Sequence, residues 1–232
     1  MAKAAQTKAK PRKKGSRPYN SPRRKAQAEA TRVQILDAAE RLFLRDGYVT
    51  TSMAAIAKEA GVALKTVYLA FESKSGVLRA LWHRNLRGGQ ETTPVANQEW
   101  FREVIDQEDP RRALELNARN SRRVKARIAP LGDVLYAAAA ADPEIAALTD
   151  RIWTDFYENQ LEVVKALDKR KALRAGLSVD RATDILWTLN HPNVYILLLQ
   201  ARGWTEDDYE RWLAEITCSE LLAPVKRSKR KR

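Results

Sequence analysis

The stretch TSMAAIAKEAGVALKTVYLAFESK, residues 51–74, decides the fold. Met53, Ile56, Ala57 and Ala60 are spaced three and four apart, the period of one buried helical face. Thr51 and Ser52 stand just before that face, where a hydroxyl can accept a bond from an orphan backbone N–H. Gly61 follows and can turn the chain, because glycine tolerates positive φ. Val62 then packs inward, and a second helix is predicted from about Ala63 to Ala70, with Val67 and Phe71 four apart on its inner side. Leu64, Lys65, Thr66, Tyr68 and Leu69 are left outside. Two short helices joined by a Gly-containing turn form the helix-turn-helix pattern, whose second helix enters the DNA major groove. An ordinary helical hairpin inside an all-α protein has the same spacing, so geometry alone leaves both readings open.

A wider stretch carries a resemblance. RLFLRDGYVTTS (residues 41–52), then IAKEAGVALKTVYLAFESKSGVL (residues 56–78), resembles the N-terminal domain of the tetracycline-repressor (TetR) family. The family's pattern falls on Phe43, Gly47, Thr50, Thr51, Ile56, Ala57, Ala60, Gly61, Val62, Tyr68, Phe71 and Lys74, within about Arg32 to Leu81. Ala63 departs from it. The family usually places Ser or Thr there to cap the recognition helix, and the exchange removes about 1 kcal/mol of capping and one phosphate donor. The resemblance implies an all-α chain, with an N-terminal three-helix helix-turn-helix domain and a C-terminal helical bundle that binds a ligand and dimerises.

Charge divides the chain further. Residues 1–30 hold ten Lys and Arg against the single Glu29, and residues 223–232 hold six with no acid. These arms together exceed the whole chain's net charge of +13, so the body between them is nearly neutral. The expected organisation is a disordered basic arm (1–30), a helix-turn-helix domain (31–88), a helical effector-binding and dimerisation domain (89–222) and a basic tail (223–232). Each phosphate neutralised by such an arm adds salt-sensitive affinity for DNA; a solubilising tail is the plainer reading. One cysteine permits no internal disulfide and fits a reducing compartment. No apolar run reaches the length of a membrane span, and no apolar stretch follows the basic N-terminus as a secretory signal requires. The expected location is cytoplasmic, on the nucleoid.

Candidate DNA contacts follow from reach and resemblance. Lys65 and Thr66 lie in the first turns of the recognition helix, within reach of base edges or phosphates. Tyr68 and Lys74 match residues that meet backbone phosphates in the family. Thr51 and Ser52, with the first amides of the preceding helix, form a phosphate seat. Leu64 is placed to touch a thymine methyl or to pack.

The rest of the chain reads as helices. The first helix runs from Arg32 to Asp46, and a helix from about Ser73 to Leu86 links the two domains, with His83 read as a surface residue. Asp109-Pro110 opens a helix to about Ile128, with Leu114, Ala118, Ser121 and Val124 as its buried row; Pro130 is expected to interrupt before Leu131–Ala141. Its arginine-rich face suggests salt bridges or, more sharply, an anion site. Asp142-Pro143 starts a long helix to about Lys169. The helices at Val179–Leu189, Asn193–Arg202 and Thr205–Leu222 resemble the family's closing pair, which implies a homodimer interface at Ile185, Leu189, Leu198, Tyr209, Trp212, Leu213 and Ile216; a purely intrachain core is the alternative. The kink Asn190-His191-Pro192, with Tyr136, Trp153, Phe156, Trp187 and Tyr195, outlines an apolar effector pocket or plain core.

The function expected is a sequence-specific transcriptional regulator, a ligand-responsive repressor acting as a homodimer on a palindromic operator in double-stranded DNA. The alternative is a nucleoid-type structural DNA-binding protein relying on its arms. With two histidines, one cysteine, no phosphate loop and no metal-spaced cluster, no enzyme, metal or cofactor is expected.

Overall fold

The computed structural model describes residues 22–89 and 94–224. The helices are α1 (Pro22–Asp46), α2 (Met53–Glu59), α3 (Leu64–Phe71), α4 (Lys74–Arg87), α5 (Glu99–Asp106), α6 (Pro110–Ala141), α7 (Pro143–Lys169), α8 (Val179–Leu189), α9 (Pro192–Ile196) and α10 (Glu206–Leu221). The fold is all-α, a helix-turn-helix unit followed by a helical bundle. Among the described residues the extended pairing is one isolated bridge between Leu173 and Leu222. No described helix is long and apolar enough to cross a membrane.

Local chemistry sets the ends of these helices. Ser52 caps α2 by accepting from the Ala55 amide at 3.1 Å, and Ser73 caps α4 by accepting from Gly76 at 3.0 Å. Asp109-Pro110 and Asp142-Pro143 open α6 and α7 with an acidic cap and a proline whose missing N–H is harmless there. Thr205 and Asp208 close a reciprocal capping box on α10. Gly61, at φ +66°, makes the turn between α2 and α3.

Three expectations need correcting. The first helix begins at Pro22, not Arg32, so residues 22–30 are helical rather than part of a disordered arm. Ala26, Ala28 and Ala30 in that segment are good helix formers and extend a helix already nucleated by packing. The remainder of both basic arms, residues 1–21 and 225–232, lies outside the described residues. Pro130 does not interrupt α6. Its ring removes one backbone donor, but the buried Ile128, Leu131, Val134 and Leu135 hold the helix in register on both sides. The helix expected from Asn193 to Arg202 is instead α9 followed by a π-helical turn, Leu197–Ala201.

The core of the helix-turn-helix does not stop at the expected boundary. Ile35 and Phe43 of α1, Ile56 of α2, Val67 of α3 and Leu78, Leu81 and Trp82 of α4 pack into one cluster with Leu131 and Leu135 of α6 and Ile145 and Leu148 of α7. Polar ties flank it. Tyr48 donates to the Asp142 carboxylate at 2.6 Å, and Ser75 to Glu144 at 2.5 Å, so the start of α7 is fixed to the helix-turn-helix unit. Arg84 pairs with Asp37 and Glu40, binding α4 to α1. Arg127 donates to the Asn85 carbonyl at 2.8 Å and to that of Leu86 at 3.3 Å, the last turn of α4.

Gly76 allows the tightest of these approaches. A Cβ there would stand 2.0 Å from the Phe71 carbonyl oxygen, a backbone atom that cannot give way cheaply. Gly76→Ala is therefore expected to destabilise the chain by about 2–4 kcal/mol, read from the urea midpoint. An unchanged midpoint would refute that close approach.

Candidate nucleic-acid interface and internal cavity

The outer face of α3 is the first candidate site. Leu64, Lys65, Tyr68 and Leu69 are exposed, and Leu69 is 77% exposed. Val67 and Phe71 hold the helix down from the other side, and Arg32 of α1 donates to the Ala70 carbonyl at 2.7 Å while lying over the Phe71 ring. The result is a short helix fixed at its base, with a cation, a phenol and two apolar side chains turned outward. Thr66 is half-buried beside them. Ala63 makes no side-chain cap, so the first amides of α3 lack the hydroxyl partner found at α2.

The remaining predicted contacts divide. Ser52 is exposed at the start of α2. Thr51 is corrected: it is 3% exposed, and its hydroxyl donates to the Gly47 carbonyl at 2.7 Å, closing the turn after α1. Lys74 is half-buried, donates to the Tyr48 carbonyl at 2.8 Å and lies 4.3 Å above the Tyr48 ring. Burial lowers its pKa. Its ammonium is thus already engaged in holding the Tyr48 turn.

The second candidate site is a cavity of about 480 Å³ between α4, α5, α6, α7 and the α8–α9 kink. Trp82, Leu86, Ile128, Leu135 and Ile152 line it and also belong to, or pack on, the core beneath the helix-turn-helix. Of the expected pocket residues, Tyr136, Trp153, Phe156 and Asn190 line it. His191 and Trp187 stand behind this wall, His191 stacking on Trp153 at 4.8 Å between ring centroids and Trp187 meeting His191 edge-on at 4.9 Å. Tyr195 is corrected, since it is buried edge-to-face against Tyr209 and forms no part of the lining.

Sequence reasoning missed the most consequential lining residue. Lys125 of α6 is 3% exposed and sits in the cavity wall. Its amine donates to Asn190 Oδ1, while Asn190 Nδ2 donates to Gln160 Oε1 at 2.9 Å. Burial alone drives its pKa down from 10.5 to about 7. The signal was present: Leu114, Ala118, Ser121, Lys125 and Ile128 follow one helical row, and a lysine interrupts its apolar side. His83 is also corrected from surface residue to cavity wall. The Trp82 Nε1, His83 Nδ1 and Arg87 Nε atoms, all on α4, are buried with no hydrogen-bond partner among the described residues. Burial holds the His83 and His191 pKa values below the ordinary one.

Much of the arginine face of α6 is engaged within the chain. Arg122 pairs with Glu206 and Glu210 of α10, Arg119 approaches Glu210, and Arg127 clasps α4, so these three are held without an anion. Of the expected dimer residues, Tyr209 and Leu213 are corrected, being fully buried inside the chain; Ile185, Leu189, Leu198, Trp212 and Ile216 are half-buried.

Comparison with known proteins fits this geometry. Residues 35–81 match the family model of bacterial regulatory proteins, tetR family. Residues 35–81 thus form a DNA-binding domain of the tetR type. The chain is 43% identical over 58 residues to the HTH-type transcriptional regulator AcrR of Shigella flexneri, a match covering 25% of this chain and 27% of that protein. The matched segment thus spans little more than a quarter of this relative. Over nearly the whole fold the chain is similar to NalD, the secondary repressor of the MexAB-OprM multidrug efflux pump in Pseudomonas aeruginosa (TM-score 0.64, 22% identity, 85% of this chain and 98% of that one). It is also similar to SmeT in its triclosan complex (TM-score 0.64, 18% identity, 88% and 98%).

The Lys125 shift has a sign that can be checked. Unfolded, the amine holds its proton up to about pH 10.5; folded, it releases it above about pH 7. The stability penalty is therefore full below about pH 7 and disappears as pH rises toward 10.5. Lys125→Met is expected to stabilise the chain by a few kcal/mol (order of magnitude) near pH 6.5, with the gap to wild type narrowing toward pH 10. Denaturation midpoints of both proteins across pH measure this. A gap independent of pH would mean that the amine is not desolvated.

Proposed function

We propose that the protein is a sequence-specific transcriptional repressor that works as a homodimer on a palindromic operator and is released by a small molecule bound in the cavity. The observation that carries this reading is the sharing of side chains: Trp82, Ile128 and Leu135 belong both to the core that seats the recognition unit and to the cavity wall. An occupant that favours one packing of these side chains also favours one placement of α3, and differential affinity for two placements is what ligand control requires. The solved structures of similar fold include a repressor and a triclosan complex, which agrees with this reading. The half-buried apolar faces of α8 and α10, at Ile185, Trp212 and Ile216, suit an isologous interface, and two-fold symmetry places two readers on paired half-sites.

The basic arms favour a second reading, in which the protein coats DNA with little sequence preference. Selection from a random double-stranded DNA pool, followed by affinity measurement across a salt series, separates the two. The expected result is enrichment of a two-fold symmetric sequence. Lys65→Ala should weaken binding to it by about 1–3 kcal/mol. Deleting residues 1–21 and 225–232 should flatten the salt slope yet keep discrimination. No enriched sequence with the full-length chain would overturn the repressor reading in favour of the structural one.

A further inference from the structure

Lys125 is a poor choice for a wall that merely encloses apolar space. An ammonium has three donors, and among the described residues the one hydrogen-bond partner found for this amine is the neutral Asn190 Oδ1. No ion pair to Lys125 occurs among the described residues, and its amine lies 5.6 Å from the centre of the Tyr209 ring. Asn190 is itself oriented by Gln160, so the amine is held in place and two of its donors remain for an occupant. Trp82 and Arg87 of α4 also line the cavity, and their Nε1 and Nε atoms, which can only donate, are buried without an acceptor among the described residues. Most of the remaining lining is apolar and aromatic, with Trp100, Phe101, Ile152 and Phe156.

We infer that the cavity selects an apolar carboxylic acid, whose carboxylate accepts from Lys125 Nζ and whose hydrocarbon body lies along the aromatic wall. This deepens the repressor reading and rests on it for the identity of the site as an effector pocket. The carboxylate supplies what the fold withholds from Lys125, an opposite charge in a desolvated place, where an unpaired ammonium is costly. A neutral ligand of the same length leaves the ammonium as it was. A cationic one adds a like charge.

Binding is therefore linked to a proton on Lys125. The other titratable or charged groups about it are His191 at the head of α9, Tyr209 of α10, Asp155 and Glu158 on the α7 wall, and His83 and Arg87 on the α4 wall. Both imidazoles are held below their ordinary pKa, which leaves Lys125, near 7, as the cationic site that discharges as pH rises past neutrality. The affinity for a carboxylate should fall along that rise.

The test is a head-group ladder on the full-length chain: decanoate, decanol and decylamine, followed by quenching of the tryptophan emission to which Trp82, Trp100 and Trp153 of the wall contribute. At pH 6.5 decanoate is expected to bind at least about tenfold more tightly than decanol, and decylamine more weakly than either. The advantage of decanoate over decanol should shrink at pH 8.5, and Lys125→Met should abolish it while retaining decanol binding. Wild-type preference for decanol or decylamine, or a decanoate advantage that survives in Lys125→Met, overturns the inference. So does the failure of all three probes to bind. The ladder on wild type decides the ligand class even if the variant does not fold. A second measurement, release of the selected DNA by decanoate, separates the two claims: tight decanoate binding without release supports the ligand class and sinks the repressor mechanism.

Discussion

The helix-turn-helix unit rests on a core that it does not own alone. Leu78, Leu81 and Trp82 of α4 share one buried cluster with Leu131 and Leu135 of α6 and Ile145 and Leu148 of α7. Protein interiors at native packing density resist continuous deformation, so a change on one side of such a core is met by a discrete rearrangement on the other. Everything proposed for this protein depends on that continuity. Without it, the exposed face of α3 and the cavity would be two unrelated features of one chain.

The helix α4 is the rod through which the two are joined. Near its first turn Ser75 is bonded to Glu144 and the neighbouring Tyr48 to Asp142, both at the start of α7. At its last turn Arg127 of α6 holds the Asn85 and Leu86 carbonyls, and Gly88 ends the helix in a left-handed conformation directly against that guanidinium. Both ends are thus pinned to the bundle by polar contacts with strict geometry, while the middle presents Trp82 to the core and His83 to the cavity. A rod fixed in this way does not slide freely. Displacement by an occupant must loosen one of the two pins, and the α7 pin is the one that also orients the loop before α2.

How far this was legible in the sequence varies with the physics involved. The apolar period of residues 53–71 and the positive-φ glycine at 61 are local signals, and they placed α2, the turn and α3 nearly to the residue. The Asp-Pro pairs placed the starts of α6 and α7 for the same reason. Pro130 misled because local preference was overruled by packing on both sides of it, which no window of sequence displays. Tyr209 and Leu213 read as an oligomer face because an apolar row looks alike whether its partner is α6 of the same chain or a twin. Thr51 and Lys74 fit a phosphate-contact pattern, yet here they engage backbone carbonyls of the turn after α1, a role visible only once that turn is folded.

Lys125 shows why a departure from the apolar pattern can be more informative than the pattern. One hydrogen bond from an ammonium to a neutral oxygen contributes about 1.5–3 kcal/mol, while desolvating an ammonium costs several. The Lys125–Asn190–Gln160 chain does not offset that difference, because none of its members carries a compensating charge. A methionine of similar length would fill the same volume without the penalty. If the lysine served only to tie α6 to the α8–α9 kink, a neutral donor would do so with less desolvation. Its position is explained when the missing anion arrives from outside: the cost of the unpaired ammonium then becomes binding energy for one class of ligand, delivered beside the same α6 side chains, Ile128 and Leu135, on which the recognition unit is packed.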